Sequence, residues 1–216
     1  MTALRHISLV LPVKQVSHAK SRMAVPRNER RRLALGLIRH TLDIATTCLP
    51  ADQVYVVTSD PQVREFAGLY GARFVADPGR GLNPAAEQGV AEARARADRH
   101  AVVVLVSDLP GLTSEALRVL FDMVDSARDQ PICVADYSGR GTTAVSCPPG
   151  VQVPMVFGRD SAIRFTALGC RRAHRAPAGL VTDLDTVADW HQLRAQSSWL
   201  WPPPEPLAER HRVGTH

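Results

Sequence analysis

Two acidic sites in this sequence follow apolar runs. Asp108 comes one serine after the run Ala101–Val106, and Pro110 turns the chain just beyond it. The run Gly179–Val181 leads in the same way to Asp183-Leu184-Asp185. Carboxylates that face one cleft from two strand ends form a hard-oxygen site for Mg²⁺. Each aspartate can equally cap the turn or helix that follows, so both interpretations stay open.

A basic segment follows the first apolar run, Leu4–Val13. It contains Lys14, Lys20 and Arg22. Cations at this place can neutralise a triphosphate that Mg²⁺ also holds, and a solvated basic loop is the alternative. Together, the basic segment and the two acidic sites predict nucleotidyl transfer.

Two further segments combine glycine with hydroxyl groups. Gly141-Thr142-Thr143 opens an apolar run, and Phe157–Ser161 leads into a predicted helix. Glycines, hydroxyls and a helix N-terminus can bind a small anion without a dedicated cation. Each segment is a weak signal by itself, since Ser161 also fits the role of a helix cap.

Several well-known site motifs are absent from the sequence. It has neither the P-loop pattern nor the G-x-G-x-x-G fingerprint, which excludes those two nucleotide-binding classes. The lack of G-x-S-x-G and H-E-x-x-H argues against serine hydrolases and zinc proteases. The four cysteines are far apart and form no C-x-x-C pair, which fits neither a zinc site nor a disulfide framework.

Strand and helix signals alternate along the chain. Apolar runs predict strands at 4–13, 53–58, 73–76, 101–106, 132–135 and 142–147, and apolar spacing with caps predicts helices that begin near 28, 61, 84, 114, 160 and 186. This order predicts an α/β fold with a mostly parallel mixed sheet and helices on both faces. Ligands of such sheets bind beyond the carboxyl ends of the strands, where segments 12–22, 77–84, 107–112 and 182–185 are expected to emerge.

The length and composition predict one globular domain with a short tail. The chain has 216 residues, 45% of them hydrophobic, which suits a single domain over residues 1–201. The proline run Pro202–Pro206 predicts a flexible tail from 202 to 216. No apolar stretch approaches the roughly 20 residues of a membrane span, and the N-terminal sequence lacks the features of a secretory signal. We therefore expect a cytoplasmic protein.

The net charge suggests a function of a different class. With 26 Lys and Arg against 21 Asp and Glu, the chain carries a formal charge of +5, concentrated in arginine clusters at 27–32 and 171–175. Such clusters can belong to a non-catalytic protein that binds nucleic acid or a partner. Only 5% of the residues are aromatic, and the basic stretches show no stacking pattern, so we favour the enzyme.

Six motif blocks occur in a characteristic order between Leu9 and about Leu193. They are L-P-V-K-x4-A-K-S-R-M, G-L-N-P-A, S-D-L-P-G-L, D-x4-G-T-T, F-G-x-D-S-A and D-L-D-T-x-A-D. This ordered set resembles the 2-phospho-L-lactate or phosphoenolpyruvate guanylyltransferases of coenzyme F-420 (deazaflavin) biosynthesis. Single blocks are unspecific, but six in the family's order are a strong signal.

The resemblance implies a nucleotidyltransferase fold of the sugar-nucleotide-transferase type and Mg²⁺-dependent transfer of GMP from GTP to a small phosphorylated acid. By the matching blocks, the metal-binding residues are Asp108, Asp183 and Asp185, and the acceptor-binding residues are Thr142, Gly158 and Ser161. The blocks next to the nucleotide contain Pro12, Lys14, Lys20, Arg22, Asn83 and Pro84. Of these, Lys14, Lys20 and Arg22 join Asp108 as the expected catalytic residues.

The chain departs from the family at two positions near the acceptor blocks. The family commonly has His at the position of Phe165, and Asn or Ala at that of Thr143. These departures bear on the acceptor more than on the reaction type. A same-fold nucleotidyltransferase with another phosphorylated acceptor is the nearest alternative. The expected partners are the two substrates, without nucleic acid or membrane; the next enzyme of the pathway and a second copy of the chain are further candidates.

Overall fold

The computed structural model describes residues 6–15 and 26–182. Its strands are β1 (Ile7–Val13), β2 (Val54–Thr58), β3 (Arg73–Ala76), β4 (Ala101–Leu105), β5 (Ile132–Ala135), β6 (Thr142–Cys147) and β7 (Arg171–Arg172). Its α-helices are α1 (Arg27–Cys48), α2 (Pro61–Leu69), α3 (Leu82–Arg96), α4 (Ser114–Ala127), α5 (Ser161–Ala167) and α6 (Ala178–Val181). A single 3-10 turn, Ala51–Gln53, leads into β2.

The strands form one mixed, mostly parallel sheet in the order β3-β2-β1-β4-β6-β5-β7. Strands β1 to β4 pair in parallel, as do β5 and β7, whereas β6 is antiparallel to both of its neighbours. The segment between β5 and β6 is therefore a hairpin connection that interrupts the alternation of strands and helices. The predicted α/β fold is confirmed.

Alternating side chains of the central strands pack against helices on both faces of the sheet. In β1, Leu9 and Leu11 belong to the core beneath α1, α2, α4 and α6, and Val10 belongs to the core beneath α3 and α5. All seven residues of β1 are buried. A strand covered on both faces has a nearly continuous apolar sequence, which is why β1 and β4 could be recognised as strands from the sequence.

Two helix starts follow the predicted capping chemistry. The Asp60 carboxylate accepts hydrogen bonds from the backbone N–H groups of Gln62 and Val63, and Pro61 stands at the first helical position of α2. The Thr113 hydroxyl accepts from the N–H of Ala116 at the start of α4. These interactions satisfy donors that have no partner within the helix.

Three expectations need correction or refinement. The segment 182–185 was expected after a strand, but Ala178–Val181 is one turn of helix, because three apolar residues are too few to distinguish the two periods. Helix α3 begins at Leu82 instead of Pro84, so Asn83 and Pro84 lie in its first turn. The basic pair Arg171-Arg172 forms the edge strand β7.

Some expectations lie outside the described residues. They are the helix predicted from 186, the end of the domain at 201 and the tail from 202 to 216. Within residues 6–15 and 26–182, no helix combines the length and the hydropathy needed to cross a membrane.

Helix α3 lies close against the sheet at Gly89. A Cβ atom at this position would clash with Val10 and would lie 2.7 Å from a methyl carbon of Val57. Both valines are fully buried, so neither side chain can move aside at low cost. The glycine therefore sets the distance between α3 and strands β1 and β2.

We predict that Gly89→Ala lowers the free energy of unfolding by about 1–3 kcal/mol, the usual cost of overpacking a core. The matched control is Gly68→Ala in α2, where a Cβ would meet nothing within 4 Å. This control should stabilise the protein by about 0.5–1 kcal/mol through helix propensity. Urea unfolding of both variants measures the difference, and equal stabilities would contradict the close packing.

Candidate functional site

The residues that follow β1 and β4 meet at one edge of the sheet. The two strands pair in parallel, with Val10 opposite Val104, so Lys14, just after β1, and Asp108, three residues after β4, both follow the carboxyl ends of neighbouring strands. Lys14 is exposed and Asp108 is half-buried. Pro12 is buried within β1, two residues before Lys14. A cation and a carboxylate predicted from separate segments thus share the carboxyl edge of the parallel strands.

Strand β6 begins at the same edge. Its antiparallel pairing with β4 sets Leu105 opposite Ala144, and the N–H of Val106 donates to the Thr143 carbonyl at 2.9 Å. Thr142 therefore lies beside the end of β4, next to the segment that contains Asp108. One predicted acceptor residue and one predicted metal ligand are brought together.

The Asp108 segment is held by helix α1. The Thr41 hydroxyl donates to the carbonyl of Leu37 within α1 at 3.0 Å and lies 3.4 Å from the carbonyl of Ser107. The Nε2 of His40 donates to the Leu112 carbonyl at 2.9 Å. Both ends of the segment 107–112 are therefore fixed by adjacent residues of α1. Neither role could be predicted from the sequence, where Thr41 fitted only the apolar stripe of the helix.

Helix α6 packs against the other side of this segment. A Cβ on Gly179 would clash with the Gly111 carbonyl, so the two backbones touch. The Thr143 hydroxyl donates to the Leu180 carbonyl at 2.6 Å, and the N–H of Tyr137 donates to the Val181 carbonyl at 2.7 Å. These contacts bring the end of the described chain, Thr182, to the same edge.

Four predicted site residues lie outside the described residues: Lys20, Arg22, Asp183 and Asp185. Within the described ranges, no group of three or more His, Cys, Asp or Glu side chains could hold a metal ion. Asp108 is the predicted metal ligand that the described structure contains. The metal assignment therefore stays a prediction.

Thr142 and Ser161, both predicted to bind the acceptor, contact each other. Both are buried, and the Ser161 hydroxyl donates to Thr142 Oγ1 at 3.0 Å. Because the Thr142 oxygen accepts this bond, its own proton remains able to donate to an anion. Gly158 has a φ of 114°, a conformation that favours glycine, and begins the turn before Ser161.

The first-turn N–H groups of α5 already have backbone acceptors. Ser161 donates to the Gly158 carbonyl, and Ala162 donates to the Arg140 carbonyl across the turn. Ile163 and Arg164 both donate to the carbonyl of Asp160. An anion at this place would therefore depend on side-chain hydroxyl groups more than on the backbone of α5.

Asn83 links the nucleotide block to the acceptor block. Its side-chain NH₂ donates to the Phe157 carbonyl at 3.2 Å, and its oxygen accepts from the N–H of Phe157 at 2.7 Å. One side chain thus fixes the peptide before Gly158 to the first turn of α3. Asn83 and Pro84 belong to the block predicted to lie next to the nucleotide, so this contact joins that block to the predicted acceptor block.

The two departures from the family pattern are packing residues here. Phe165 is fully buried and meets Phe157 edge-on, with ring centroids 5.2 Å apart. Thr143 is buried and anchors α6 through the bond to Leu180. Both side chains thus belong to the packing around the segments predicted to bind the acceptor.

Comparison with known proteins gives a consistent family. The profile of the MobA-like NTP transferase domain matches residues 21–188. A phosphoenolpyruvate guanylyltransferase from Thermomonospora curvata is 40% identical over 186 residues, which cover 84% of this chain and 80% of the relative. One from Geodermatophilus obscurus is 38% identical, with 88% of each chain covered. Among solved structures, a protein from Desulfovibrio desulfuricans G20 assigned to the nucleotide-diphospho-sugar transferases has the same fold, with a TM-score of 0.65, 17% identity and 90% of both chains covered.

The position of His40 makes the stability depend on pH. Burial lowers the pKa of His40, and the bond to Leu112 and the charge of Asp43 only partly oppose this effect. The unfolded chain therefore binds a proton at a higher pH than the folded one, so this contribution to stability is complete above about pH 6.5 and is lost as the pH falls below it.

We predict that His40→Gln makes the free energy of unfolding less dependent on pH between 7.5 and 5.5. The difference in slope should stay below about 1.4 kcal/mol per pH unit, the value for one proton. Urea unfolding at several pH values measures it, with the exposed His174→Gln as control. An unchanged slope in His40→Gln would contradict the role of burial at this site.

Proposed function

The chain belongs to the MobA-like NTP transferase family, and on that premise we propose that it transfers GMP from GTP to phosphoenolpyruvate and releases pyrophosphate. It is a nucleotidyltransferase, and its relatives are named phosphoenolpyruvate guanylyltransferases. The observation that carries the proposal is that the residues after β1 and β4, including Lys14 and Asp108, share one sheet edge with Thr142 at the start of β6. The acceptor 2-phospho-L-lactate remains the alternative, and from the resemblance of the motif blocks we propose that the reaction belongs to coenzyme F-420 biosynthesis.

The proposed reaction needs no protein base. The phosphate of the acid attacks the α-phosphorus of GTP, a P–O bond forms, and the bond to the β-phosphate oxygen breaks as pyrophosphate leaves. A phosphate monoester has a second pKa near 6, so the attacking oxygen is already deprotonated at neutral pH. The protein's contribution is then alignment and the stabilisation of charge.

The donor chemistry at the edge fits Mg²⁺. Asp108 offers one half-buried carboxylate. Asp183, the next residue in the sequence after Thr182, is proposed as the second ligand, together with Asp185. Mg²⁺ commonly takes one or two carboxylates together with substrate phosphates. Bound there, the ion would screen the triphosphate and polarise the α-phosphate.

The basic residues have a separate role on the nucleotide side. Lys14 is exposed at the edge, where its ammonium group can approach the phosphates. Lys20 and Arg22 are proposed to add positive charge from the segment that follows. Pro12 has no N–H group, and it orients the chain that leads to Lys14.

The acceptor is proposed to lie against Thr142. The hydroxyl of Thr142 donates to the carboxylate or phosphate of the acid, and Ser161 orients that hydroxyl by donating to its oxygen. Gly158 allows the turn that brings Ser161 into place. In this arrangement only the Thr142 hydroxyl contacts the acid, and Ser161 acts indirectly by orienting that hydroxyl.

The direct test is pyrophosphate release from each NTP with Mg²⁺ and a panel of three-carbon phosphorylated acids. We expect release with GTP and phosphoenolpyruvate, and little with ATP or with unphosphorylated pyruvate. Pyrophosphate release that requires a sugar phosphate as acceptor would overturn the assigned acceptor but not the assignment to the family. No release with any acid would overturn the proposed reaction.

We predict that Asp108→Asn lowers kcat for pyrophosphate release by roughly 100-fold, because it removes charge from the metal site. Asp183→Asn should act in the same way. Asp122→Asn, on the exposed face of α4, is the control and should retain full activity. Circular dichroism checks that the fold is kept. Near-normal turnover of Asp108→Asn at saturating Mg²⁺ would rule out the metal assignment.

Asp185→Asn tests whether this residue mainly caps a helix. In that case we expect a loss of stability of about 1 kcal/mol or less, with most of the activity retained. A loss as large as that of Asp183→Asn would instead mean that both carboxylates hold the metal.

We predict that Thr142→Val raises KM for the acid by roughly tenfold, the effect of one hydrogen bond to a charged group. Ser161→Ala should have a smaller effect, because it only frees the Thr142 hydroxyl to rotate. Initial rates with each substrate varied in turn give both KM values, and KM for GTP should stay within twofold. A rise in KM for GTP alone would mean that the acceptor and nucleotide residues are assigned the wrong way round.

A further inference from the structure

The turn between β5 and β6 is built around Asp136. Its carboxylate accepts from the Ser138 hydroxyl at 2.8 Å and from the N–H groups of Arg140 at 3.1 Å and Gly141 at 3.0 Å. A Cβ on Gly141 would clash with this carboxylate, so only glycine allows it to lie so close. The turn therefore has a defined shape, and Arg140 projects from it at a fixed place.

Arg140 connects this turn to the start of α5 in two ways. Its guanidinium group contacts Asp160 Oδ1 through Nε at 2.8 Å and through a terminal nitrogen at 2.7 Å. Its backbone carbonyl accepts from the N–H of Ala162 at 3.0 Å. Between these contacts lies the bond from Ser161 to Thr142. Three adjacent bonds thus join the two segments proposed to bind the acceptor.

Asp160 adopts a backbone conformation that side chains rarely take. Its φ is 54° and its ψ is 27°, in the left-handed region, and its side chain caps no N–H group of α5. A residue other than glycine keeps such a conformation only when its surroundings hold it there. Arg140 supplies that hold from the neighbouring turn through its two short contacts with Oδ1, whereas the highly exposed Arg159 approaches Oδ2 only to 3.5 Å.

We propose that the Arg140–Asp160 pair is a positioning pair for the acceptor, which sets Ser161 against Thr142. This inference rests on the proposed function, since it concerns the acceptor site of that reaction. Neither side chain needs to touch the acid. The pair keeps the start of α5 at a fixed position relative to the Asp136 turn, so that the Thr142 hydroxyl points to the place where the anion binds.

A role in stability alone does not account for the arrangement. The two side chains are 63% and 32% exposed, and surface ion pairs of this kind contribute little to folding. The pair instead flanks the two hydroxyl groups, two residues before Thr142 and one before Ser161. Small displacements at such a place weaken binding and alignment without unfolding the protein.

The first experiment measures substrate kinetics of single variants. Arg140→Met should raise KM for phosphoenolpyruvate about tenfold, with KM for GTP and the melting temperature nearly unchanged. Arg140→Lys should restore part of the affinity, since a lysine can keep one contact. Asp160→Asn should cost less than Asp160→Gly, because asparagine tolerates a left-handed backbone and keeps an acceptor oxygen, whereas glycine removes the grip.

The control is Arg96→Met, which removes a pair of similar exposure with Glu92 on α3. It should leave both KM values unchanged. The double variant Arg140→Met with Asp160→Gly should be no worse than the poorer single variant, because the two residues act as one unit. Additive losses, or a KM for the acid within twofold of wild type in Arg140→Met, would overturn the proposal.

A second measurement does not depend on the reaction. Amide hydrogen exchange at Ala162 should become about tenfold faster in Arg140→Met, while exchange in α4 stays the same. Unchanged protection at Ala162 would overturn the positioning pair, whatever the substrate. If wild type releases no pyrophosphate with any acid, the proposed function fails, and the exchange result still decides whether Arg140 holds α5.

Discussion

The parallel pairing of β1 with β4 is the interaction on which the candidate site depends. Parallel neighbours end at the same edge of a sheet, so the residues that follow them are brought together. The register is strongly specified because both strands are buried on both faces, and a slip of one residue would exchange the side chains between the two cores. This pairing brings the segments that contain Lys14 and Asp108 to the same edge, although neither residue belongs to the paired strands.

Close backbone contacts then bring other elements to that edge. Gly179 allows α6 to touch the Asp108 segment at Gly111, and Gly141 leaves room for the carboxylate of Asp136. Gly89 has the same effect between α3 and the sheet. A Cβ would collide with backbone at Gly179, with the Asp136 carboxylate at Gly141 and with buried valines at Gly89. The arrangement therefore depends on the absence of side chains at these positions as much as on the presence of others.

Many polar side chains near the site hold backbone in place. Asn83 fixes the peptide at Phe157, Thr143 fixes α6, and His40 fixes the end of the Asp108 segment. Hydrogen bonds of this kind satisfy carbonyl groups that loops would otherwise leave unpaired in a partly buried place. They also restrict the motion of the segments proposed to bind substrates. Rigid support of this kind is what a reaction driven by alignment requires.

The sequence by itself determined the strand order along the chain, the α/β class and two helix caps, because burial periodicity and capping are local properties. The strands at 73–76, 132–135 and 142–147 have the expected bounds. It also identified Asp108 and Thr142 as candidates, since Asp108 follows one apolar run and Thr142 begins another. It did not distinguish a one-turn helix from a strand at Ala178–Val181, where the apolar run is too short to show a period.

Only the tertiary structure decided which side chains support these candidates. His40 meets the Leu112 carbonyl 72 residues along the chain, and Asn83 meets Phe157 at a separation of 74 residues. Arg140 appeared in the sequence only as one more basic residue, yet it holds Asp160 across a turn. Such partners depend on how distant segments cross in space. A local pattern records whether a residue is buried, whereas the identity of its partner is set by the topology of the sheet.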